Sequence, residues 1–290
     1  MTTNKVALVT GASRGAGAGI ARGLGELGYT VYVTGRTVTP GDAKGWDGTV
    51  LPGTVAQTAE AVTQAGGKGI AVLCDHADDA QVARLFEQIR AEQGRLDMLV
   101  NNAAYIHHQL IEKMPFWEKE LDAVRILDVG LRSAYVASWH AAKIMVPQGS
   151  GLIAMTSSFG ASCYMHGPAY GAQKAGLDKL AHDMEHDLRG TGVIAVSLWL
   201  GMQITERSQI SAQTHPEQYE GFLAMAENPE FSAHILDAID RAPNREQLSG
   251  ETLIGAEIAL NLGITDRGKQ PPSHRAMLGS PRAKNPAAVY

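Results

Sequence analysis

Residues 5–36, KVALVTGASRGAGAGIARGLGELGYTVYVTGR, contain two apolar runs that flank a glycine-rich turn and an amphipathic segment. Residues 6–9 and 29–34 are rich in β-branched side chains and are typical of strands, whereas Ile20 and Leu24 recur at helical spacing. Strand, turn, helix and strand together form a βαβ unit, which requires a parallel sheet with a right-handed crossover. This stretch therefore predicts a parallel sheet covered by helices.

The same alternation continues after this unit. The predicted helices cover residues 54–65, 78–93, about 117–146 and 168–189, and the predicted strands cover 69–74, 96–101, 152–156, 193–199 and 251–255. This order predicts an α/β, Rossmann-type doubly wound parallel sheet in a single domain, residues 1–265. Residues 202–248 are predicted to form a helical insertion on the substrate side, and 266–290 an extended C-terminal tail. Residues 37–53 are rich in Gly, Pro and Asp and predict a loop.

The composition excludes several classes of protein. A net charge of −5 and the absence of long basic runs argue against nucleic acid as a partner. The N-terminus has no secretory signal and no stretch of 18 apolar residues exists, so we expect a cytoplasmic protein outside the membrane. Cys74 and Cys163 are expected to be free thiols, and the ten histidines show no metal-ligand spacing, so we predict no metal.

The glycine-rich turn at residues 10–17 lies between the first strand and the first helix. Glycines there let the backbone approach a pyrophosphate at the positive end of the helix. The turn therefore predicts a dinucleotide site, whose residues would be Gly11, Ser13, Arg14, Gly15, Ala16 and Gly17.

The end of the second strand indicates which dinucleotide binds. An Asp or Glu there would hydrogen-bond the ribose 2′-hydroxyl of NAD(H), but this chain has Gly35, Arg36 and Thr37. Arg36 and Arg14 suit a 2′-phosphate, because guanidinium groups make charge-assisted paired bonds to phosphate. The sequence therefore favours NADP(H) over NAD(H).

Tyr170 and Lys174 lie four residues apart in a segment with helical spacing, so their side chains share one face. A nearby ammonium favours the phenolate and is expected to lower the pKa of Tyr170. A serine hydroxyl at the end of the predicted strand 152–156 could hydrogen-bond a substrate oxygen. These groups predict a proton-transfer site for a carbonyl or an alcohol.

The chain resembles the short-chain dehydrogenase/reductase family over residues 5–205. The matching motifs are Thr10-Gly11-x-x-x-Gly15-x-Gly17, Asp75, Asn101-Asn102-Ala103-Ala104, Ser158, Tyr170-x-x-x-Lys174 and Gly201 to Thr205. Each motif is common alone, but the ordered set is specific. The resemblance is closer to one branch of this family, as three further stretches indicate: residues 128–133, 145–147 and 196–199.

The resemblance implies a role for each matching residue. Tyr170 would be the general acid/base, and Lys174 would lower its pKa and bind the nicotinamide ribose. Ser158 would orient the substrate oxygen; Ser157 is the alternative, although counting from Gly151 favours Ser158. The other implied cofactor contacts are Asp75 at the adenine, Asn102 and Ala103 along the cofactor, and Gly201 and Thr205 on the nicotinamide side.

The implied enzyme is an NADP(H)-dependent oxidoreductase that transfers a hydride between the nicotinamide and a ketone, an aldehyde or a secondary alcohol. The resemblance also implies a homodimer or homotetramer. One departure affects the chemistry: Gly130 stands where the family has an Asn that completes a proton relay. It supports a rival function, a dinucleotide-binding sensor or scaffold with little catalysis, against which the retained Ser158, Tyr170 and Lys174 argue.

Two further groups of residues bear on the substrate. His107 and His108 follow the fourth predicted strand and could contact substrate or replace the relay Asn, although solvated loop histidines are commoner. Four apolar side chains flank the catalytic segments: Phe159, Tyr164, Met165 and Met202. They predict an apolar pocket wall and hence a substrate with an apolar or aromatic body.

Overall fold

The centre of the computed structural model, which describes residues 5–45, 48–285, 287 and 289, is one seven-stranded parallel sheet. The strands are β1 (Val6–Val9), β2 (Thr30–Gly35), β3 (Lys68–Leu73), β4 (Met98–Asn101), β5 (Gly151–Ser157), β6 (Val193–Trp199) and β7 (Thr252–Ile254). Their spatial order is β3-β2-β1-β4-β5-β6-β7. The order reverses between β1 and β4, and ligands of doubly wound sheets bind at such a switch point. The predicted fold class is confirmed.

Helices cover both faces of this sheet. In chain order the helices of the protein are α1 (Gly15–Glu26), α2 (Val55–Gln64), α3 (Asp79–Gln93), α4 (Ser133–Gln148), α5 (Pro168–Leu188), α6 (Glu206–Thr214), α7 (Pro216–Leu223), α8 (Pro229–Arg241), α9 (Arg245–Leu248), α10 (Gly255–Leu262) and α11 (Arg275–Leu278). Those that cover the sheet are α1–α5, α8 and α10. Successive side chains of a strand point to opposite faces. Ala7 and Val9 therefore pack with α1, α2, α8 and α10, whereas Val6 and Leu8 pack with α3, α4 and α5.

The predicted long helix at 117–146 is wrong in its first half, because α4 begins at Ser133. A 3₁₀ turn (Leu121–Ile126) and one wide turn (Asp128–Arg132) precede it, and the backbone is non-helical at Val129 and Gly130. Gly130 has a φ of 145°, which side chains with a Cβ rarely adopt. Trp117 is 72 % exposed, so the segment before this kink buries little apolar surface.

The predicted insertion at 202–248 divides into two parts. α8 belongs to the core, since Phe231 is buried among residues of α1. The two helices approach closely because α1 has glycines: a Cβ on Gly19 would lie 2.1 Å from the Cβ of Pro229. Residues 202–228, with α6 and α7, are the part that stands beside the ligand-binding edge.

The C-terminal tail lies against the body of its own chain and includes the short helix α11. Arg275 pairs with Glu257 of α10, and Lys284 pairs with Glu251 before β7. Within the described residues, no helix combines the length and the apolar character that crossing a membrane requires.

Candidate active site

A crevice of about 500 Å³ opens at the carboxyl edge of the sheet, over the switch point. It is lined by twelve of the residues predicted to bind the cofactor: Gly11, Ser13, Arg14, Gly15, Ala16, Gly17, Arg36, Asp75, Asn102, Ala103, Tyr170 and Thr205. Ser158 and Gly201 line an adjoining cavity together with Tyr170. Lys174 is absent from the lining of both.

The glycine turn has the close packing that a dinucleotide cradle needs. A Cβ on Gly11 would lie 2.7 Å from the Cα of Ala103, and a Cβ on Gly17 would lie 2.4 Å from Nδ2 of Asn102. Asn102 Nδ2 donates to the carbonyl of Thr10 at 2.9 Å, which joins this turn to the end of β4. Larger residues at either glycine would push these two segments apart.

An anionic group already lies at the N-terminus of α1. The carboxylate of Glu206 accepts a hydrogen bond from the backbone N–H of Gly15 at 3.1 Å. The first N–H groups of a helix have no partner within the helix and lie at the positive end of its dipole, so they attract anions. A cofactor phosphate has the charge and the acceptors to take the same place, so the turn fits a dinucleotide.

Three arginines line the crevice, Arg14, Arg36 and Arg207. The Arg14 guanidinium donates to the carbonyls of Pro52 and Gly53, at 3.1 and 2.8 Å, and so ties the 37–53 loop to the glycine turn. Arg36 is largely exposed, and its NH1 lies 4.0 Å from the carboxylate of Asp75. Arg207, on α6, could not be singled out from the sequence because no motif contains it.

Ser158 and Tyr170, to which the resemblance assigns catalysis, meet where the crevice joins the adjoining cavity. The hydroxyls of Ser158 and Tyr170 are 2.9 Å apart. Ser157 is turned away, because its hydroxyl donates to the backbone carbonyl of Lys174 at 3.2 Å. Gly160, which follows Ser158 in the chain, lets the ring of Tyr170 approach closely. A Cβ on Gly160 would lie 2.5 Å from Cε1 of Tyr170.

Lys174 lies beneath Tyr170, with its Nζ 5.5 Å from the centre of the phenol ring. The ammonium donates to the carbonyl of Thr156 at 3.0 Å. Burial lowers the pKa of Lys174 to about 8, and the carboxylate of Asp178 opposes this shift. Asp178, one turn further along α5, accepts hydrogen bonds from Ser197 Oγ at 2.6 Å and Trp199 Nε1 at 2.9 Å.

The sequence did not single out Asp178, although its i,i+4 spacing from Lys174 was a usable signal. Burial raises its pKa, while hydrogen bonds from Ser197, Ser157 and Trp199 favour the charged form. A buried carboxylate held in this way keeps a negative charge near the Lys174 ammonium.

The pKa of Tyr170 differs from the expectation drawn from its spacing. Burial raises it, and the hydrogen bond with Ser158 opposes the rise. Spacing alone could not foresee this result, because burial disfavours the phenolate regardless of the helical register. Tyr170 is therefore protonated at neutral pH, which is the form that donates a proton.

Gly130 is the position where the family's relay Asn is missing. The amide of Gln173 fills this space: Nε2 donates to the Gly130 carbonyl at 3.1 Å, and Cγ lies 3.2 Å from where a Cβ would stand. Gln173 is buried, and its Oε1 has no hydrogen-bond partner within the described residues. The side-chain amide of Gln173, on α5, therefore lies directly against Gly130.

His107 and His108 line neither the crevice nor the cavity beside Tyr170. With Glu120 they form a cluster whose ligand-type atoms lie within 4.8 Å of one another. Nδ1 of His107 accepts a hydrogen bond from the backbone N–H of Gln109. Nε2 of His107 faces the carboxylate of Glu120 at 3.4 Å. This geometry is that of a hydrogen-bonded cluster.

The predicted apolar wall is present in part. Phe159, Met165 and Met202 line the cavity beside Ser158 and Tyr170, whereas Tyr164 is 81 % exposed. Two lining residues that the sequence did not single out are His166 and His274. No local motif marks either one.

The chain is similar in sequence to known proteins. The family model for short chain dehydrogenase matches residues 5–215. Dehydrogenase/reductase SDR family member 1 of Homo sapiens is 38% identical over 279 residues, which are 92% of this chain and 84% of that protein. The Mus musculus protein of that name is 38% identical over 287 residues, 95% and 87% of the two chains. These two relatives confirm the branch that residues 128–133 indicate.

A solved structure extends the comparison to a bound dinucleotide. It is described as an NAD(P) dependent gluconate 5-dehydrogenase from Beutenbergia cavernae with bound NADP at low occupancy. It has a TM-score of 0.70 and 27% identity, over 88% of this chain and 96% of that one.

Proposed function

This chain belongs to the short-chain dehydrogenase/reductase family, and we propose that it is an NADP(H)-dependent reductase of ketones and aldehydes that also oxidises secondary alcohols. The pair of hydroxyls on Ser158 and Tyr170, 2.9 Å apart, is the observation that carries the proposal. The pair lies where the dinucleotide crevice meets an apolar cavity, and Tyr170 lines both. A carbonyl oxygen placed between two hydroxyls is polarised for attack at its carbon.

The chain's own residues would handle the substrate oxygen and its proton. The nicotinamide, when bound, supplies or accepts the hydride. Tyr170 donates its proton to the oxygen of the former carbonyl, and Ser158 hydrogen-bonds that oxygen. Lys174 stabilises the phenolate that remains, until a proton from solvent restores the phenol. Burial raises the pKa of Tyr170, so the residue is in the protonated form that this step needs.

The preference for NADP(H) follows from the charges around the adenosine end. Arg36, which follows the end of β2, lines the crevice together with Arg14 and Arg207. β2 ends at Gly35, so it supplies no carboxylate for a ribose 2′-hydroxyl. The NADP-bound relative supports the same choice. NAD(H) would leave these guanidinium groups without a phosphate.

The preference is tested with Arg36→Ala. Loss of a charge-assisted bond should weaken NADPH binding by about 10- to 100-fold and leave NADH binding nearly unchanged. The matched control is Arg84→Ala, because Arg84 is an exposed arginine on α3 outside the crevice. If Arg36→Ala leaves the ratio of NADPH to NADH affinity unmoved, the assignment to NADP(H) is wrong.

The reductase activity is tested by following NADPH absorbance with a panel of aromatic and cyclic ketones. We expect consumption of NADPH with at least one of them, and formation of NADPH from NADP⁺ with the matching alcohol. No change in either direction across the panel would contradict the proposal.

Gly130 supports one rival, a dinucleotide-binding sensor or scaffold. The Gly130 carbonyl is already bonded to Gln173, so it offers less to a relay of water molecules. A sensor would bind NADPH and turn over neither ketones nor alcohols. The preserved contact between Ser158 and Tyr170 favours the enzyme, since binding of a dinucleotide does not need it. A homodimer or homotetramer stays a prediction, which light scattering would test.

A further inference from the structure

The cavity beside Ser158 and Tyr170 has a volume of about 340 Å³, enough for a substrate of one or two rings. Its wall is largely apolar, with Phe159, Met165 and Leu200 among its members. None of the described residues that line it is Asp, Glu, Lys or Arg. A charged group on a substrate would therefore lose its water without gaining a partner of opposite charge.

Apart from Ser158, Tyr170 and Tyr219, the polar side chains that line the cavity are those of two histidines. His166 lies edge-on to the ring of Tyr170 at 5.0 Å, and His274 lies edge-on to Phe159 at 6.2 Å. Neither ring makes a hydrogen bond to another described residue. Burial lowers the pKa of both imidazoles, that of His166 to about 4, so both are neutral at pH 7. Each neutral ring offers one donor and one acceptor.

Both histidines have an unusual backbone. Among the described residues, three that are not glycine have a positive φ, and two of them are His166 at 58° and His274 at 59°. A residue with a Cβ is unfavourable in this left-handed region, and such residues cluster at ligand sites. Their coincidence in one cavity indicates that the fold holds these rings where a ligand binds.

His274 is held there by the C-terminal tail. Its neighbour Arg275 makes paired bonds with Glu257, and Ser273 also donates to Glu257. Gln270 donates to the carbonyl of Ala256 at 2.8 Å. These contacts tie the chain before and after His274 to α10. The tail segment that closes the cavity lies outside the family's motifs.

We propose that the substrate is an uncharged, mainly apolar ring ketone that carries a second hydrogen-bonding oxygen, and that His274 binds this second oxygen. The inference rests on the proposed function, because Ser158 and Tyr170 must hold the first oxygen. His274 is then a residue that determines specificity. Sugar acids and other carboxylates are disfavoured by the same wall.

The test uses 1-tetralone, its 6- and 7-hydroxy derivatives, and the corresponding carboxylates, each reduced with NADPH by the full-length protein. We expect the better hydroxy derivative to exceed 1-tetralone in kcat/KM by about 5- to 10-fold, as one added hydrogen bond allows. The carboxylates should fall at least about tenfold below 1-tetralone, because their charge is desolvated without a partner.

His274→Gly should bring the ratio of hydroxy derivative to 1-tetralone close to one. Glycine accepts the left-handed backbone, so the tail keeps its path. His274→Asn, whose shorter side chain also tolerates that backbone, should lower the ratio in the same way. Met277→Ala is the matched control, because Met277 lies in the same segment, is exposed and lines no part of the cavity. This control should keep the wild-type ratio.

Each outcome decides a separate point. Equal kcat/KM for the hydroxy and parent ketones in wild-type protein, or efficient reduction of the carboxylates, would overturn the substrate class. A wild-type ratio that survives in both His274 variants would overturn the role of His274. If NADPH is oxidised with none of the ketones, the proposed function itself fails. The two results named before leave the proposed function standing.

Discussion

Removal of the Glu206 carboxylate should strengthen cofactor binding, because this group accepts from the helix N–H that we expect a cofactor phosphate to use. Its hydrogen bond from the Gly15 N–H, at 3.1 Å, must break before a pyrophosphate can accept from the same donor. A bond to a charged acceptor contributes about 1.5–3 kcal/mol, whereas a neutral one contributes about 0.5–1.5 kcal/mol. Glu206→Gln therefore makes the displacement easier by about 1 kcal/mol.

Charge repulsion adds to this gain. A displaced carboxylate about 8 Å from a phosphate, in water, costs roughly 0.5 kcal/mol. The two contributions predict that Glu206→Gln binds NADPH about 10-fold more tightly. The gain should shrink at high salt, because the repulsive part is screened.

The assay is titration of NADPH fluorescence or calorimetry at two salt concentrations. Glu217→Gln is the matched control, since Glu217 also lies in the first turn of a helix, α7, and is exposed. An unchanged or weaker affinity in Glu206→Gln, with the control at the wild-type value, would refute the reasoning.

Three other predictions concern protonation and backbone strain. The rate of ketone reduction should fall as the pH rises through about 8, because Lys174 then loses the proton that stabilises the phenolate. A pH profile of kcat that stays flat to pH 10 would contradict this prediction. Asp178→Asn should move this decline to lower pH, because the carboxylate raises the pKa of Lys174; Asp183→Asn, an exposed acid on the same helix, should not. Gly130→Ala should lower the free energy of unfolding by about 1–3 kcal/mol, since φ is 145° there. In the same melting experiment Gly221→Ala, in α7 with nothing within 4 Å, should not lower it and should raise it by up to about 1 kcal/mol.

The strands were predictable from the sequence because most are buried on both faces. All seven residues of β6 are buried, so the apolar run itself marks both ends of the strand. The predicted bounds, 193–199, are those observed. A mainly apolar run of this length between two glycines, Gly192 and Gly201, fits a strand that is buried on both faces.

The kink before α4 could not be predicted from local pattern. The apolar residues of 117–146 suit a helix, but Gly130 adopts a φ that only glycine readily accepts, and Gln173 of another helix packs into its place. α8 was assigned to the insertion for a similar reason. Its place in the core depends on α1, where Gly19 and Gly23 permit close approach.

Some residues of the candidate site could likewise be selected from the sequence, and others could not. Ser158, Tyr170 and Lys174 belong to short motifs, so the sequence was enough to select them. Glu206 and His274 lie in segments without motifs, and only tertiary packing brings them to the ligand-binding edge. The raised pKa of Tyr170 was likewise invisible in the spacing, because it depends on burial.

The most direct measurement compares kcat for ketone reduction and Kd for NADPH in wild-type protein and in Tyr170→Phe. Phenylalanine keeps the ring that packs on Gly160 and removes the hydroxyl that faces Ser158. We predict that kcat falls by about 100-fold or more, as loss of a general acid requires, while Kd for NADPH stays within about threefold. A Tyr170→Phe variant that reduces ketones at the wild-type rate would contradict the account.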